Sequence, residues 1–185
     1  VYTSLLRADS SPLGLAAEHK ATEALIVASG LPHVLLRNGW YTENHLASIG
    51  PALQHGVYLG AAGAGRIASA TRADYAAAAA AVLQQPVGAN RTIELAGDRA
   101  HTLAELVDEL NRQTGRALRY QDLSPADFEA ALVAAGLPAA LAALLADSDA
   151  GAADGALFDE GRQLGALIGR PTTPLSVAMQ AALAA

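Results

Sequence analysis

The sequence predicts an α/β fold, a parallel sheet flanked by helices, joined to a smaller and mostly helical lobe. Three observations carry this. A strand–helix–strand order over residues 1–37 has the crossover length of a parallel βαβ unit. Three further short strands alternate with helical stretches up to Leu95. After Gly97 the chain reads as helix after helix, with a single brief strand at Leu118–Tyr120.

Taken in order, Val1–Leu6 is a buried strand. Ser10-Ser11-Pro12 supplies turn chemistry and offers an N-cap. A helix follows over Leu15–Ser29, with Leu15, His19, Thr22, Leu25 and Ile26 on one face, and Gly30 and Pro32 end it. His33–Arg37 (HVLLR) is a second strand, parallel to the first. Asn44–Gln54 is a short helix interrupted at Gly50-Pro51. Val57–Leu59 and Ile67–Ala70 are short strands on either side of GAAGAG. Thr71 caps a helix over Arg72–Gln84, with Asp74 in its first turn. Thr92–Leu95 is another strand.

Thr102 and Glu105 form a capping box for a helix to Thr114, which Gly115 stops. Ser124 and Pro125 open a helix to Ala135, and another runs from Leu137-Pro138 to Leu145. Asp147–Gly155 reads as an acidic, solvated Gly/Ala loop. Leu157–Ile168 and Pro174–Ala184 are the last helices, the second capped by Thr173. Residues 1–97 therefore form part of a sheet domain and 98–185 a smaller lobe, with 38–70 contributing to a cleft between them.

Composition narrows the function. Of 185 residues, 52% are hydrophobic and 16% charged, enough for a packed core, while aromatics are only 4%. The chain has no cysteine, which excludes disulfides, thiolate catalysis and Cys-ligated metals. Net charge is -6, from 12 basic and 18 acidic residues. The basic residues are scattered, so neither nucleic acid nor a membrane surface is an expected partner. No apolar run is long enough to span a bilayer and no signal peptide is visible, so a cytoplasmic location is expected. The strand at the very start suggests that the natural chain extends upstream.

Candidate chemistry is sparse. Gly60–Arg66 (GAAGAGR) has its glycines in the order G-x-x-G-x-G, not the dinucleotide order G-x-G-x-x-G, so a hairpin or flexible loop is favoured over a phosphate cradle. Asp147-Ser148-Asp149 starts like a calcium loop, but Gly151 and Ala152 stand where an oxygen ligand and a glycine are needed. The five histidines show no metal-ligand spacing, and His45, His55 and His101 read as surface or boundary residues. His19, just after the first strand, stands apart. The richest segment is Leu35–Asn44 (LLRNGWYTEN), at the end of the second strand. Gly39 permits close approach to the backbone, Trp40 and Tyr41 give flat faces with polar tips, and Asn38 and Asn44 offer donors and acceptors.

VYTSLL, SPLGLAAEH, LLRNGWYTEN, ASATRADYAAAAA, ELAG, LADSDAGA and LIGRPTTPL together resemble the type-2 NAD(P)H:quinone oxidoreductases, an NmrA-like atypical branch of the short-chain dehydrogenase/reductases. The resemblance runs in order over nearly the whole chain and matches the later part of such a protein. Members begin with further residues that carry the first strands and the Gly-rich pyrophosphate turn.

The resemblance implies a Rossmann-like parallel sheet, NADPH or NADH as cofactor with neither flavin nor metal, and a quinone as substrate. It leaves room for a homodimer. It puts Thr3, Ser4, Leu5, His19, Asn38, Gly39 and Trp40 beside the cofactor, and Tyr41 and Asn44 toward the substrate. Asn38, Tyr41 and His19 are the catalytic candidates, with Ser4 and His19 sharing a hollow with Asn38, Trp40 and Tyr41. The usual Tyr-x-x-x-Lys pair is replaced by Leu15 and His19. A quinone tolerates that loss, because its hydroquinone anion is a phenolate with a pKa of about 10 and needs less acid help than an alkoxide. A dinucleotide-sensing NmrA-like regulator without turnover, or an inactive fragment of the reductase, are the alternatives.

Overall fold

A computed structural model describes residues 1–86 and 88–184. The chain opens with β1 (Tyr2–Leu5), α1 (Ala16–Ala28) and β2 (Val34–Asn38). β1 and β2 are parallel neighbours with Leu5 opposite Asn38, the βαβ unit that the sequence predicts. Gly30, at φ +70°, ends α1. Ser10-Ser11-Pro12 does not cap it: Leu15 precedes the helix without a side-chain bond. The Ser10 and Ser11 amides instead donate back to the Arg7 carbonyl, closing the turn earlier. The expected apolar stripe of α1 is not buried either. Only Ala16 and Glu23 are, while Leu25 is 73% exposed.

β2 leads to α2 (Thr42–Leu46) and α3 (Ile49–His55). The break between them falls at Ala47–Ser48, not at Gly50-Pro51. Pro51 lies in the first turn of α3, where its missing N–H leaves no helical bond unmade. β3 (Val57–Gly60) and α4 (Arg72–Leu83) follow. Residues 67–70 are not a strand; they make single bridges, Ile67 to His101 and Ala70 to Tyr41. Residues 61–65 are accordingly a loop rather than a hairpin turn.

β4 (Arg91–Leu95) runs parallel to β2, giving a sheet in the order β1-β2-β4. α5 (Leu103–Thr114) carries the predicted capping box of Thr102 and Glu105. β5 (Arg119–Asp122) pairs in parallel with β3, so a second, two-stranded sheet joins the two parts of the chain.

α6 (Pro125–Ala134) starts at Ser124, whose hydroxyl accepts the Asp127 amide. α7 (Ala139–Ala153) is one continuous helix and absorbs the stretch that reads as a solvated loop. Its carboxylates brace distant backbone: Asp147 accepts the Gly14 amide at 2.9 Å and Asp149 the Ala61 amide at 2.8 Å. α8 (Gln163–Ile168) is shorter than expected, because Arg162 at φ +50° precedes it and breaks the helical path. α9 (Leu175–Leu183) begins after Pro174; Thr173, the expected cap, bonds to Asp74 instead.

A small cluster of Ala61, Phe128 and Ala146 and two larger cores hold these elements. Leu36 and Leu95 of the larger sheet pack with Tyr75, Ala78 and Val82 of α4 and Leu164 of α8. Leu5, Ile49, Tyr58, Ile67, Leu103, Leu106, Leu110 and Met179 form the other, which ties β1 to α5 and α9. Burying an aliphatic side chain of this size contributes about 1.5–3 kcal/mol. Beneath α1 the contact is ionic. Arg37 donates to both oxygens of Glu23 at 2.9 and 2.7 Å and to Glu94 at 2.9 Å, and Asp9 lies 3.2 Å away. The Glu23 and Glu94 carboxylates raise the Arg37 pKa, so the guanidinium keeps its charge. Among the described residues, no helix is long and apolar enough to cross a membrane.

Candidate active site

The larger sheet delivers three chain ends to one edge. β1 ends at Leu5, β2 at Asn38 and β4 at Leu95. Beyond Asn38 the chain stays on a ladder. The Gly39 amide donates to the Leu95 carbonyl at 2.7 Å, the Ala70 amide to the Trp40 carbonyl at 3.1 Å, and the Thr42 amide to the Ala70 carbonyl at 2.9 Å. Segment 38–42 is therefore rigid backbone at the carboxyl end of parallel strands, where α/β proteins bind ligands.

Asn38 is buried; its Nδ2 donates to the Tyr41 hydroxyl at 3.5 Å and its Oδ1 has no partner. Trp40 is half-buried with its Nε1 likewise buried and unpaired. Buried polar atoms without a partner call for water or ligand. The Tyr41 ring meets Tyr75 edge-on at 5.3 Å, and the Tyr75 hydroxyl donates to the Trp40 carbonyl at 3.4 Å. Burial raises the Tyr75 pKa and keeps the phenol protonated. A Cβ on Gly39 would lie 3.2 Å from the Tyr75 hydroxyl and 3.2 Å from the Leu95 carbonyl, so protein atoms already use the space this glycine leaves.

The other sequence-predicted residues are distributed more widely. Ser4 and Leu5 are buried on β1 and Thr3 is exposed. His19 Nδ1 lies 2.8 Å from the Tyr2 hydroxyl, which ties the imidazole to the start of β1 and not to Asn38. The Asn44 Oδ1 accepts from the Arg72 guanidinium at 3.0 Å. The structure thus joins Asn38 to Tyr41 by a hydrogen bond, sets Leu5 opposite Asn38 in the sheet, and pairs His19 with Tyr2. Two clefts, of about 550 and 510 Å3, lie elsewhere: one between α5 and α9, the other between Arg66 and residues 158–162.

Sequence reasoning missed three features. Arg72 is the first helical residue of α4, and nothing in its local sequence signals contact with Tyr41. His45 and His101, read as surface residues, are buried and stack edge-to-face at 5.4 Å, with Trp40 6.3 Å from His45. Burial, reinforced by His101, pushes the His45 pKa down to about 3. Burial also takes His101 down to about 4. Both rings are neutral at pH 7. Third, the amides of the glycine-rich loop are spent within the protein. Ala61 donates to Asp149, Ala62 to the Tyr120 hydroxyl at 3.3 Å and Gly63 to Asp122 at 2.9 Å. Three successive N–H groups make an anion nest, but side-chain oxygens fill this one and it does not fit a pyrophosphate. Among the described residues no cluster of three metal-binding side chains occurs.

No family model matches the chain. Quinone oxidoreductase 2 of Escherichia coli is 59% identical over 175 residues, 95% of this chain and 61% of that protein. The crystal structure of the NADPH-dependent quinone oxidoreductase of Escherichia coli complexed with NADPH superposes with a TM-score of 0.96 at 56% identity, covering 98% of this chain and 64% of that one. The Citrobacter sp. triphenylmethane reductase complexed with NADP(H) gives a TM-score of 0.88 at 32% identity, over 98% of this chain and 64% of that one.

Strand order and these likenesses define a Rossmann-like α/β fold, the fold of the solved NADPH-dependent reductases above. The chain is similar to the Escherichia coli quinone oxidoreductase 2 over nearly all of its own length and spans about three fifths of that relative's length.

Proposed function

We propose that the protein carrying this chain reduces quinones by two electrons in the cytosol, using NADPH directly and without flavin. The observation that carries the reading is the 59% identity to an oxidoreductase of that name, a likeness that extends through the strand-end segment 38–44. The residues present fit a nicotinamide at the strand ends, because Asn38 Oδ1 and Trp40 Nε1 are buried polar atoms without a protein partner. Thr3, Ser4, Leu5, Asn38, Gly39 and Trp40 would hold that end of the cofactor.

Bound NADPH would supply a hydride. The chain's part is to orient, exclude water and provide hydrogen bonds. Hydride addition to a quinone leaves a hydroquinone monoanion, and a proton from solvent completes the hydroquinone. That anion is a phenolate, so a neutral donor suffices, and the Asn38 amide and the Tyr41 hydroxyl are placed as a pair to give one. The pair stays in register because Tyr75 packs against Tyr41 and bonds to the Trp40 carbonyl. His19 is engaged by Tyr2 and serves at most as a peripheral proton source. The apolar helices of the lobe beyond residue 97 would cover the acceptor.

Asn38→Ala tests the reading. With a naphthoquinone as acceptor, kcat is expected to fall by about a hundredfold, the scale of losing one donor to developing charge, and the NADPH dissociation constant to rise by less, about fivefold, the scale of one neutral hydrogen bond. An unchanged kcat removes Asn38 from the substrate contacts.

A further inference from the structure

Arg72 is exposed, yet its guanidinium is placed with care. Its Cζ lies 4.1 Å from the centroid of the Tyr41 ring, and its Nη2 donates to Asn44 Oδ1 at 3.0 Å. It therefore touches both residues that the sequence assigns to the substrate side. Its backbone amide is anchored separately, at 2.9 and 3.1 Å from the two oxygens of Glu43. Glu43 is thus occupied in starting α4, and it does not fill the guanidinium fork. A guanidinium has five N–H donors. Among the described residues, Arg72 spends one of them on a side chain and forms no ion pair. A cation with spare, forked donors is left beside a flat aromatic face, an arrangement suited to a planar oxyanion group on a planar ring.

We propose that Arg72 is a specificity-determining residue that favours flat acceptors carrying an anionic substituent, a sulfonate or carboxylate, at the edge of the ring. The inference rests on the reductase reading above. It assigns Arg72 the substituent and leaves the reacting carbonyl to Asn38 and Tyr41. Since the pair forms at an exposed position, the preference is of the size of a solvent-accessible charge contact, about fivefold, and salt weakens it.

The test is equilibrium binding, with NADP+ present, of 9,10-anthraquinone-2-sulfonate and of uncharged 2-(hydroxymethyl)anthraquinone. Trp40, the only tryptophan, gives the fluorescence signal. The wild type should bind the sulfonate about fivefold more tightly. Arg72→Gln should remove the preference and Arg72→Lys should keep part of it, since it retains the charge but not the fork. Raising salt to about 0.5 M should shrink the wild-type preference. Equal affinities in the wild type, or the same ratio in Arg72→Gln, would overturn the proposal. Turnover of uncharged menadione, run in parallel, separates the two readings. Absence of turnover in the wild type defeats the reductase assignment. Turnover without a sulfonate preference defeats only the role of Arg72.

Discussion

Asp74→Ala is expected to destabilise the protein by about 3–5 kcal/mol, the range for removing one member of a buried, charged hydrogen-bond network. Asp74 is 0% exposed, and its carboxylate accepts from the Thr71 hydroxyl at 2.9 Å, the Thr173 amide at 2.8 Å and the Arg170 guanidinium at 2.7 Å. Burial raises the Asp74 pKa, but the bonds from Thr173, Thr71 and Arg170 outweigh it and hold the carboxyl below the usual range. The group therefore stays ionised and keeps every bond at neutral pH.

The alanine variant strands buried donors and releases segment 170–173 from the start of α4. Asp98 still holds Thr172, through bonds of 2.9 and 2.8 Å, so the segment loses one of its two anchors and not both. Asp74→Asn retains an acceptor and should lose about 2 kcal/mol. Urea unfolding at constant m measures both. A loss below about 1 kcal/mol for the alanine variant would mean that the segment docks by packing alone.

The second large effect is acid lability. His45 and His101 have folded pKa values of about 3 and about 4, against an ordinary value of 6.5. A base whose folded pKa is depressed binds more protons when unfolded. Its contribution to stability is complete above pH 6.5 and is lost as pH falls toward the folded value. At pH 5 each ring costs about 2 kcal/mol relative to pH 7.5, about 4 for the pair.

Asp149 works in the opposite direction. Burial raises its pKa to about 6 from 3.8, so the folded state binds the extra proton and gains about 1.4 kcal/mol at pH 5. The net expectation is a loss of about 2.5 kcal/mol between pH 7.5 and pH 5, read from unfolding free energies. His45→Asn should remove most of one ring's share of that slope, and Asp149→Asn should steepen the loss. A pH-independent stability over this window would contradict the burial of the histidine pair.

These two networks also show what a sequence can and cannot disclose. The capping box of α5 is legible because Thr102 and Glu105 are three residues apart and satisfy each other locally. The pairing of β1 with β2 is legible because a crossover of that length has few other solutions. The continuity of α7 is not. Asp149 and Asp147 look like loop residues until their partners, 88 and 133 residues away in sequence, come into view. His45 and His101 meet only after α2 and the start of α5 have packed.

The candidate site divides in the same way. Asn38, Trp40 and Tyr41 stand out as a dense polar-aromatic run at a strand end. Gly39 suggests room for a ligand but makes room for Tyr75. Arg72 carries no local signal, because cation–π contact with Tyr41 is a property of the fold.

Single-turnover mixing tests the account most directly. NADPH bound to the protein carrying this chain is mixed with a naphthoquinone, and the reduced-nicotinamide absorbance is followed using cofactor deuterated at the transferring position. One NADPH should be oxidised per quinone reduced, with a primary isotope effect on the rate and a slower step in Asn38→Ala. NADPH that stays reduced in the presence of the quinone would contradict it.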